Sequence, residues 1–138
     1  VEAISYISKN LLPGVILNKK TGVFEISGHS CPEDAGEFYE PIFNWLDEYK
    51  KQPLQSTTLD FKMTYFNTVT AKVFYLIMTR MEDLSFSGYD VKIRWFYNEG
   101  DEDLEEAGAE FEKILNVNFE RIPVSNDFEE EDLESYFN

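Results

Sequence analysis

The chain has 138 residues and a formal net charge of −15, from 12 Lys and Arg against 27 Asp and Glu. That length suits one ordinary domain with a single sizeable core, and a composition of 43% hydrophobic and 16% aromatic residues supplies the apolar surface that a packed interior needs. The acidic balance repels phosphate backbones and anionic bilayers, which removes nucleic acid and membrane surfaces from the expected partners.

A lone cysteine, Cys31, has no internal disulfide partner and suits a reducing compartment. The longest apolar-rich stretch, around 73–78, is far short of a membrane span. No secretory pattern opens the sequence, so the cytoplasm is the expected location.

In chain order, residues 3–8 read either as a short strand or as an ordered arm. A hairpin follows, with strands over 14–17 and 23–27 and a turn over 18–22, where Gly22 supplies the backbone angles such turns need. After Gly28 the period changes. Phe38, Ile42, Trp45, Leu46 and Tyr49 recur at helical spacing, and Pro32 and Pro41 suit first-turn positions, which predicts a short opening turn and a main helix over 41–50.

Leu59, Phe61, Met63 and Tyr65 alternate with polar residues, predicting a strand with those four on its buried face. From Thr68 the helical period returns in Val73, Leu76, Ile77, Met81 and Leu84, and Ser87-Gly88 closes the segment. Val91, Ile93, Trp95 and Tyr97 form the next strand. Residues 98–101 then turn the chain into a third helix with Leu104, Ala107, Gly108, Phe111 and Leu115 inward, and 118–122 make a last short strand.

Strands alternating with helices predict one α/β domain over 1–123, with a mostly parallel sheet, right-handed crossovers, an N-terminal antiparallel hairpin and three main helices. Residues 124–138 are expected to be an acidic tail. Six carboxylates and no Lys or Arg fall in the last twelve residues, and Phe128, Leu133, Tyr136 and Phe137 have either a partner or the domain to lie on.

Partners meet open parallel sheets at the carboxyl ends of strands, which singles out two loops. The first, 65–72, carries Tyr65, Phe66, Asn67, Thr68, Thr70 and Lys72 into a helix N-terminus, where free amides and the helix dipole accept a phosphate readily. Helix capping by Thr68 or Thr70, contributing about 1 kcal/mol, is the structural alternative and is compatible with modification.

The second loop runs through Asp101, Glu102 and Asp103 in a stretch holding eight carboxylates between Glu99 and Glu112. It reads as a dipole-complementing helix start and as a face for a basic partner. A divalent-cation site on Asp101 and Asp103 lacks the calcium-loop spacing. His29 and Cys31 are too few for a metal site, the glycines form no phosphate loop, and Trp45 and Trp95 are expected in the core. No cofactor is expected.

Four blocks carry a family resemblance: 28–34 (Gly-His-Ser-Cys-Pro-Glu-Asp); 38–41 with Trp45-Leu46; Tyr65-Phe66-Asn67-Thr68 with Lys72; and Trp95-Phe96-Tyr97 with 101–103 and 106–108. In order and spacing, over about 13–122, they resemble the SiaC family of bacterial regulatory phosphoproteins. The resemblance implies a STAS-like (SpoIIAA-like) fold, that of anti-sigma-factor antagonists, and a partner switch without catalysis. A serine/threonine kinase would phosphorylate Thr68, a phosphatase would reverse this, and the unphosphorylated form would activate a diguanylate cyclase, raising cyclic di-GMP and promoting biofilm formation.

The sequence departs from the family in having Val69-Thr70-Ala71 before Lys72 where a serine-rich run is usual, and Pro-Glu-Asp in place of Pro-Glu-Asn. Thr70 is then the one nearby alternative acceptor. Two other outputs are an anti-sigma-type switch in transcription and a metal-assisted phosphoryl-transfer enzyme using Asp101 and Asp103. The latter lacks a recognisable nucleophile, base and phosphate cradle.

Overall fold

The computed structural model describes residues 1–125. The acidic stretch from residue 126 onward, with the placement of Phe128, Leu133, Tyr136 and Phe137, lies outside the described residues.

Nine elements follow in the order β1 (Ile4–Tyr6), β2 (Gly14–Asn18), β3 (Val23–Ser30), α1 (Ala35–Tyr49), β4 (Ser56–Phe66), α2 (Thr68–Phe86), β5 (Asp90–Asn98), α3 (Glu102–Ile114) and β6 (Asn118–Val124). Among the described residues one sheet holds all six strands in sequence order; β2 pairs antiparallel with both β1 and β3, and β3 through β6 are parallel. The mostly parallel α/β domain with an antiparallel beginning and three helices is the architecture expected. Within residues 3–8, Ile4–Tyr6 form an edge strand paired to β2, and the Trp45 indole N–H donates to the Glu2 carbonyl just before it.

All three helices cover the same face of the sheet. Phe24 meets Trp45 and Tyr49 of α1, Phe61 meets Phe74 of α2, and Trp95 meets Phe111 of α3, with ring centroids 4.9–5.8 Å apart. Such aromatic contacts contribute beyond the area they bury. Among the described residues, successive right-handed crossovers in one direction leave the opposite face without a helical layer. Glu25, Asp60, Lys62, Lys92, Arg94, Phe96 and Glu120 occupy that side, joined in ion pairs Lys62–Glu25 (2.7 Å), Arg94–Asp60 (2.6 Å) and Lys92–Glu120 (3.0 Å).

Several elements differ from the sequence expectation for local reasons. Helix α1 is continuous from Ala35, capped by the Asp34 side chain accepting from the Glu37 amide (3.0 Å), with Pro41 inside it. Pro41 lacks the amide that would bond Glu37, yet it is exposed, so water reaches the carbonyl it leaves open. Tyr39, not Phe38, is the fully buried aromatic of its first turns, and in α2 Phe74 and Met78 are buried while Leu76 is 46% exposed.

Strand β3 continues through His29 and Ser30, and β6 passes through Pro123 to Val124. At its other end, α2 stops as Ser87-Gly88 foretells: Gly88, at φ 97°, donates to Ser85, and Tyr89 donates to Leu84. These two bonds satisfy the last carbonyls of the helix.

Helix α3 approaches the sheet closely because residue 108 is glycine. A Cβ there would lie 2.5 Å from a ring carbon of Trp95, whose indole N–H donates to the Leu104 carbonyl (2.9 Å). Gly→Ala inside a helix ordinarily stabilises by about 1 kcal/mol. Here the sign should reverse: Gly108→Ala is expected to destabilise by roughly 1–3 kcal/mol through overpacking, read as a lower urea midpoint at unchanged m-value.

Candidate functional site

The site forms where β4 hands the chain to α2. Between Gly28 of β3 and Met63 of β4 the parallel register slips by one, so His29 pairs with Tyr65 and Ser30 with Phe66, leaving Thr64 as the extra residue. The Thr64 hydroxyl donates to the Gly28 carbonyl (3.1 Å). A one-residue bulge exchanges the two faces of a strand beyond it. Phe66 therefore turns inward onto Phe74 and Trp95, while Tyr65, expected on the buried face, is 53% exposed and packs against the His29 ring at 5.0 Å.

Asn67 caps α2. Its side-chain oxygen accepts from the Thr70 amide (2.9 Å), so neither threonine is the cap, contrary to the sequence expectation. Thr68 is the first helical residue and is exposed. The amides of Thr68 and Val69 begin the helix and have no acceptor within it, as at any helix start.

Thr70 is different in kind: it is fully buried. Its hydroxyl lies 3.1 Å from the Ser30 carbonyl and 3.0 Å from Ser30 Oγ, which in turn is 2.7 Å from the buried Tyr39 Oη. One assignment satisfies every atom: Tyr39 donates to Ser30 Oγ, Ser30 donates to Thr70 Oγ1, and Thr70 donates to the Ser30 carbonyl. Thr70 is thus corrected from partner contact and alternative acceptor to an internal brace joining β3, α1 and α2.

Facing Thr68 across a groove of about 400 Å³ is the start of α3. The groove brings together Tyr65, Phe66, Asn67 and Thr68 with Asp101 and Asp103. It also contains Thr64, Ala71, Leu104 and Ala107, which sequence periodicity did not single out as site residues. Ala71 lies one turn beyond the cap and Ala107 one turn into α3, and small residues at those positions leave the space open; that is the signal the sequence held.

Lys72, on α2, is exposed and outside the groove, and Glu102 faces the neighbouring open loop hollow rather than this one. Asp101 caps α3, accepting from the Leu104 amide (3.1 Å), and Glu102, Asp103 and Glu105 crowd the same first turn. Among the described residues, no three His, Cys, Asp or Glu side chains gather around one point where an ion would sit. His29, paired with Tyr65 across the sheet, and Cys31 join no such group.

A profile of the SiaC family regulatory phosphoprotein matches residues 8–124, and the chain belongs to this family. An uncharacterized protein of Pseudomonas aeruginosa (strain UCBPP-PA14) is 25% identical over 107 residues, 78% of this chain and 85% of its own. The structure of SiaC of P. aeruginosa superposes with a TM-score of 0.80 at 21% identity, covering 90% of this chain and all of that one. SiaC in the crystal structure of the diguanylate cyclase SiaD with its activator SiaC superposes at 0.82, with 21% identity and coverage of 88% and 99%. Among the described residues, no helix is long and apolar enough to cross a membrane.

The internal brace titrates in a defined direction. Burial pushes the Tyr39 phenol up to about 12 from 10.0, outweighing the opposing influence of its hydrogen-bonded contact with Ser30. A raised folded-state value means the folded protein holds this proton more tightly. The associated stability is complete below pH 10 and is lost as pH rises from about 10 through about 12. Tyr39→Phe should flatten that part of the alkaline unfolding curve and lower neutral stability by about 1–3 kcal/mol, because Ser30 Oγ loses its donor. Thermal unfolding between pH 8 and about 12 checks both effects.

Proposed function

We propose that this chain is a non-enzymatic, phosphorylation-switched binding protein, and that its target is a diguanylate cyclase in cyclic di-GMP signalling that governs biofilm formation. The proposal includes a cytoplasmic setting, a serine/threonine kinase that modifies Thr68 and a phosphatase that restores it. The observation that carries the reading is the exposed Thr68 hydroxyl at the first position of α2, inside a groove with both apolar and acidic walls. Membership of a regulatory phosphoprotein family and the solved complex of SiaC with the cyclase it activates support the choice of target.

The physics of the switch follows from the groove. Phosphate adds nearly two negative charges, which the opening amides of α2 tolerate in water. The free protein therefore keeps its fold. A partner that fills the groove must strip water from that dianion beside Asp101 and Asp103, and burying an unpaired charge is costly. Unmodified Thr68, flanked by Tyr65 and Phe66, presents no such charge. Release of the partner then comes from desolvation and bulk, with like-charge repulsion adding to both.

Because Asn67 is the cap, Thr68→Ala leaves the start of α2 intact. Its affinity for the cyclase, measured by calorimetry, should stay within a factor of about 3 of the parent, whereas Thr68→Glu should bind at least about tenfold more weakly, near 1.4 kcal/mol. Thr68→Glu should also melt close to the parent, while Thr70→Glu, which forces a carboxylate into the buried brace, should fail to fold. Equal cyclase affinity for the parent, Thr68→Ala and Thr68→Glu would remove Thr68 from the switch.

A further inference from the structure

The groove around Thr68 is small for a protein partner. Its walls come from two short stretches, 64–71 and 101–107, whereas a stable interface takes about 20–30 residues from each side. A partner seated there must spread onto neighbouring surface, and the neighbours differ in what that costs. Toward α3 stands the hollow walled by Glu99, Asp101, Glu102 and Asp103, whose carboxylates resist being stripped of water. Along α2 the exposed ammonium of Lys72 follows Val69 within one turn. Toward β1 the surface is apolar.

The loop joining β1 to β2, residues 7–13, stands at the same end of the sheet, because β1 and β3 both run antiparallel to the β2 strand between them. It presents Ile7 at 89% exposure and Leu11 at 50%, and Leu12 is exposed too. Hydrogen bonds hold the loop in place. Lys9 and Leu12 exchange both backbone bonds (3.1 and 2.9 Å), Asn10 between them takes a left-handed φ of 55°, and the Cys31 amide donates to the Leu11 carbonyl (2.7 Å). On the other side of the same strand end the Asn67 amide donates to the Ser30 carbonyl (3.2 Å). Loop and helix cap therefore flank β3 about two strand spacings, roughly 10 Å, apart.

Gly28 links the two patches. It has φ 88° at the register slip that turns Tyr65 outward, and a Cβ there would lie 2.5 Å from Ser8 Oγ, so glycine at this position lets the loop close on β3. Charge sets the loop apart as well: no carboxylate occurs between Glu2 and Glu25, and Lys9 is the one charged side chain from residue 3 to residue 18, on a chain of net charge −15. Exposed aliphatic side chains on a pre-formed loop lose little freedom on binding, and their burial is favourable.

We propose that the loop over residues 7–12 is a second contact for the protein that docks at Thr68, and that an uncharged apolar segment of this partner packs on Ile7 and Leu11 while another part of it fills the Thr68 groove. The inference rests on the reading of Thr68 as the switch for cyclase binding and adds a contact that phosphorylation leaves untouched. Continuity selects this occupant: Tyr65 and Val69, exposed beside Thr68, extend the apolar surface toward the loop across the His29–Tyr65 contact. In the complex the loop supplies apolar burial, and the groove supplies sensitivity to phosphate.

Calorimetric titration of the full chain with the cyclase tests the proposal in Ile7→Ser and Leu11→Ser, with Phe86→Ser as a control, because that exposed ring lies at the opposite end of α2. Each loop variant should bind at least about fivefold more weakly than the parent. Phe86→Ser should bind like the parent, and Ile7→Ser, altered at a side chain almost wholly in solvent, should melt within about 2 °C of it. Parent-like cyclase affinity in both loop variants would overturn the proposal. So would sedimentation that finds the parent dimeric and Ile7→Ser monomeric, which would give the loop to a second copy. Thr68→Glu in the same titrations separates the two readings: binding lost there and kept in both loop variants removes the loop and leaves the switch, whereas a parent chain that binds no cyclase removes both.

Discussion

A three-membered hydrogen-bond chain, Tyr39 to Ser30 to Thr70 and back to the Ser30 carbonyl, ties three elements together beneath the Thr68 site. Each hydroxyl is buried, and an unpaired hydroxyl in that position would cost about 1–3 kcal/mol, so the three groups stabilise one another or none. The end of β3, the early part of α1 and the first turn of α2 are held in one arrangement as a result. Asn67 adds two further bonds, its amide donating to Ser30 and its side chain accepting from Thr70. Thr68 is exposed, while Phe66 packs on Phe74 and Trp95 and Thr70 is buried.

The same constraint separates anchored from outward-facing side chains along the six residues 65–70. Phe66, Asn67 and Thr70 anchor the turn, whereas Tyr65, Thr68 and Val69 face outward on it. The phosphate proposed at Thr68 would sit on a fixed helix start and change what the surface presents without changing the fold. Helix dipole and free amides would tolerate it, and the acidic turn of α3 across the groove would make the surface so modified hard to bury.

Layering has its own consequence. Among the described residues, six strands in sequence order with three crossovers in one direction place α1, α2 and α3 on one side. The core is correspondingly one-sided, with Phe24, Phe61 and Trp95 directed at the helices. The opposite side is kept soluble by paired charges, the tightest being the two-point contact of Arg94 with Asp60 at 2.6 Å for each bond. The ion pairs Lys62–Glu25, Arg94–Asp60 and Lys92–Glu120 on this side also discourage association of copies through the sheet.

Hydrophobic period and turn chemistry alone determined the element order, the parallel crossovers, the closing of α2 at Gly88 and the inward set of α3, because those depend on neighbours three to five residues apart. The motif blocks determined the family. Tertiary structure decided what depends on partners far along the chain. A bulge at Thr64, caused by the register against β3, turned Tyr65 outward and Phe66 inward, which strict alternation within β4 does not reveal. Thr68 and Thr70 look alike in local sequence, both polar and both in the first turn of α2. Only the presence of Ser30, forty residues upstream of Thr70, makes one a brace and leaves the other in solvent.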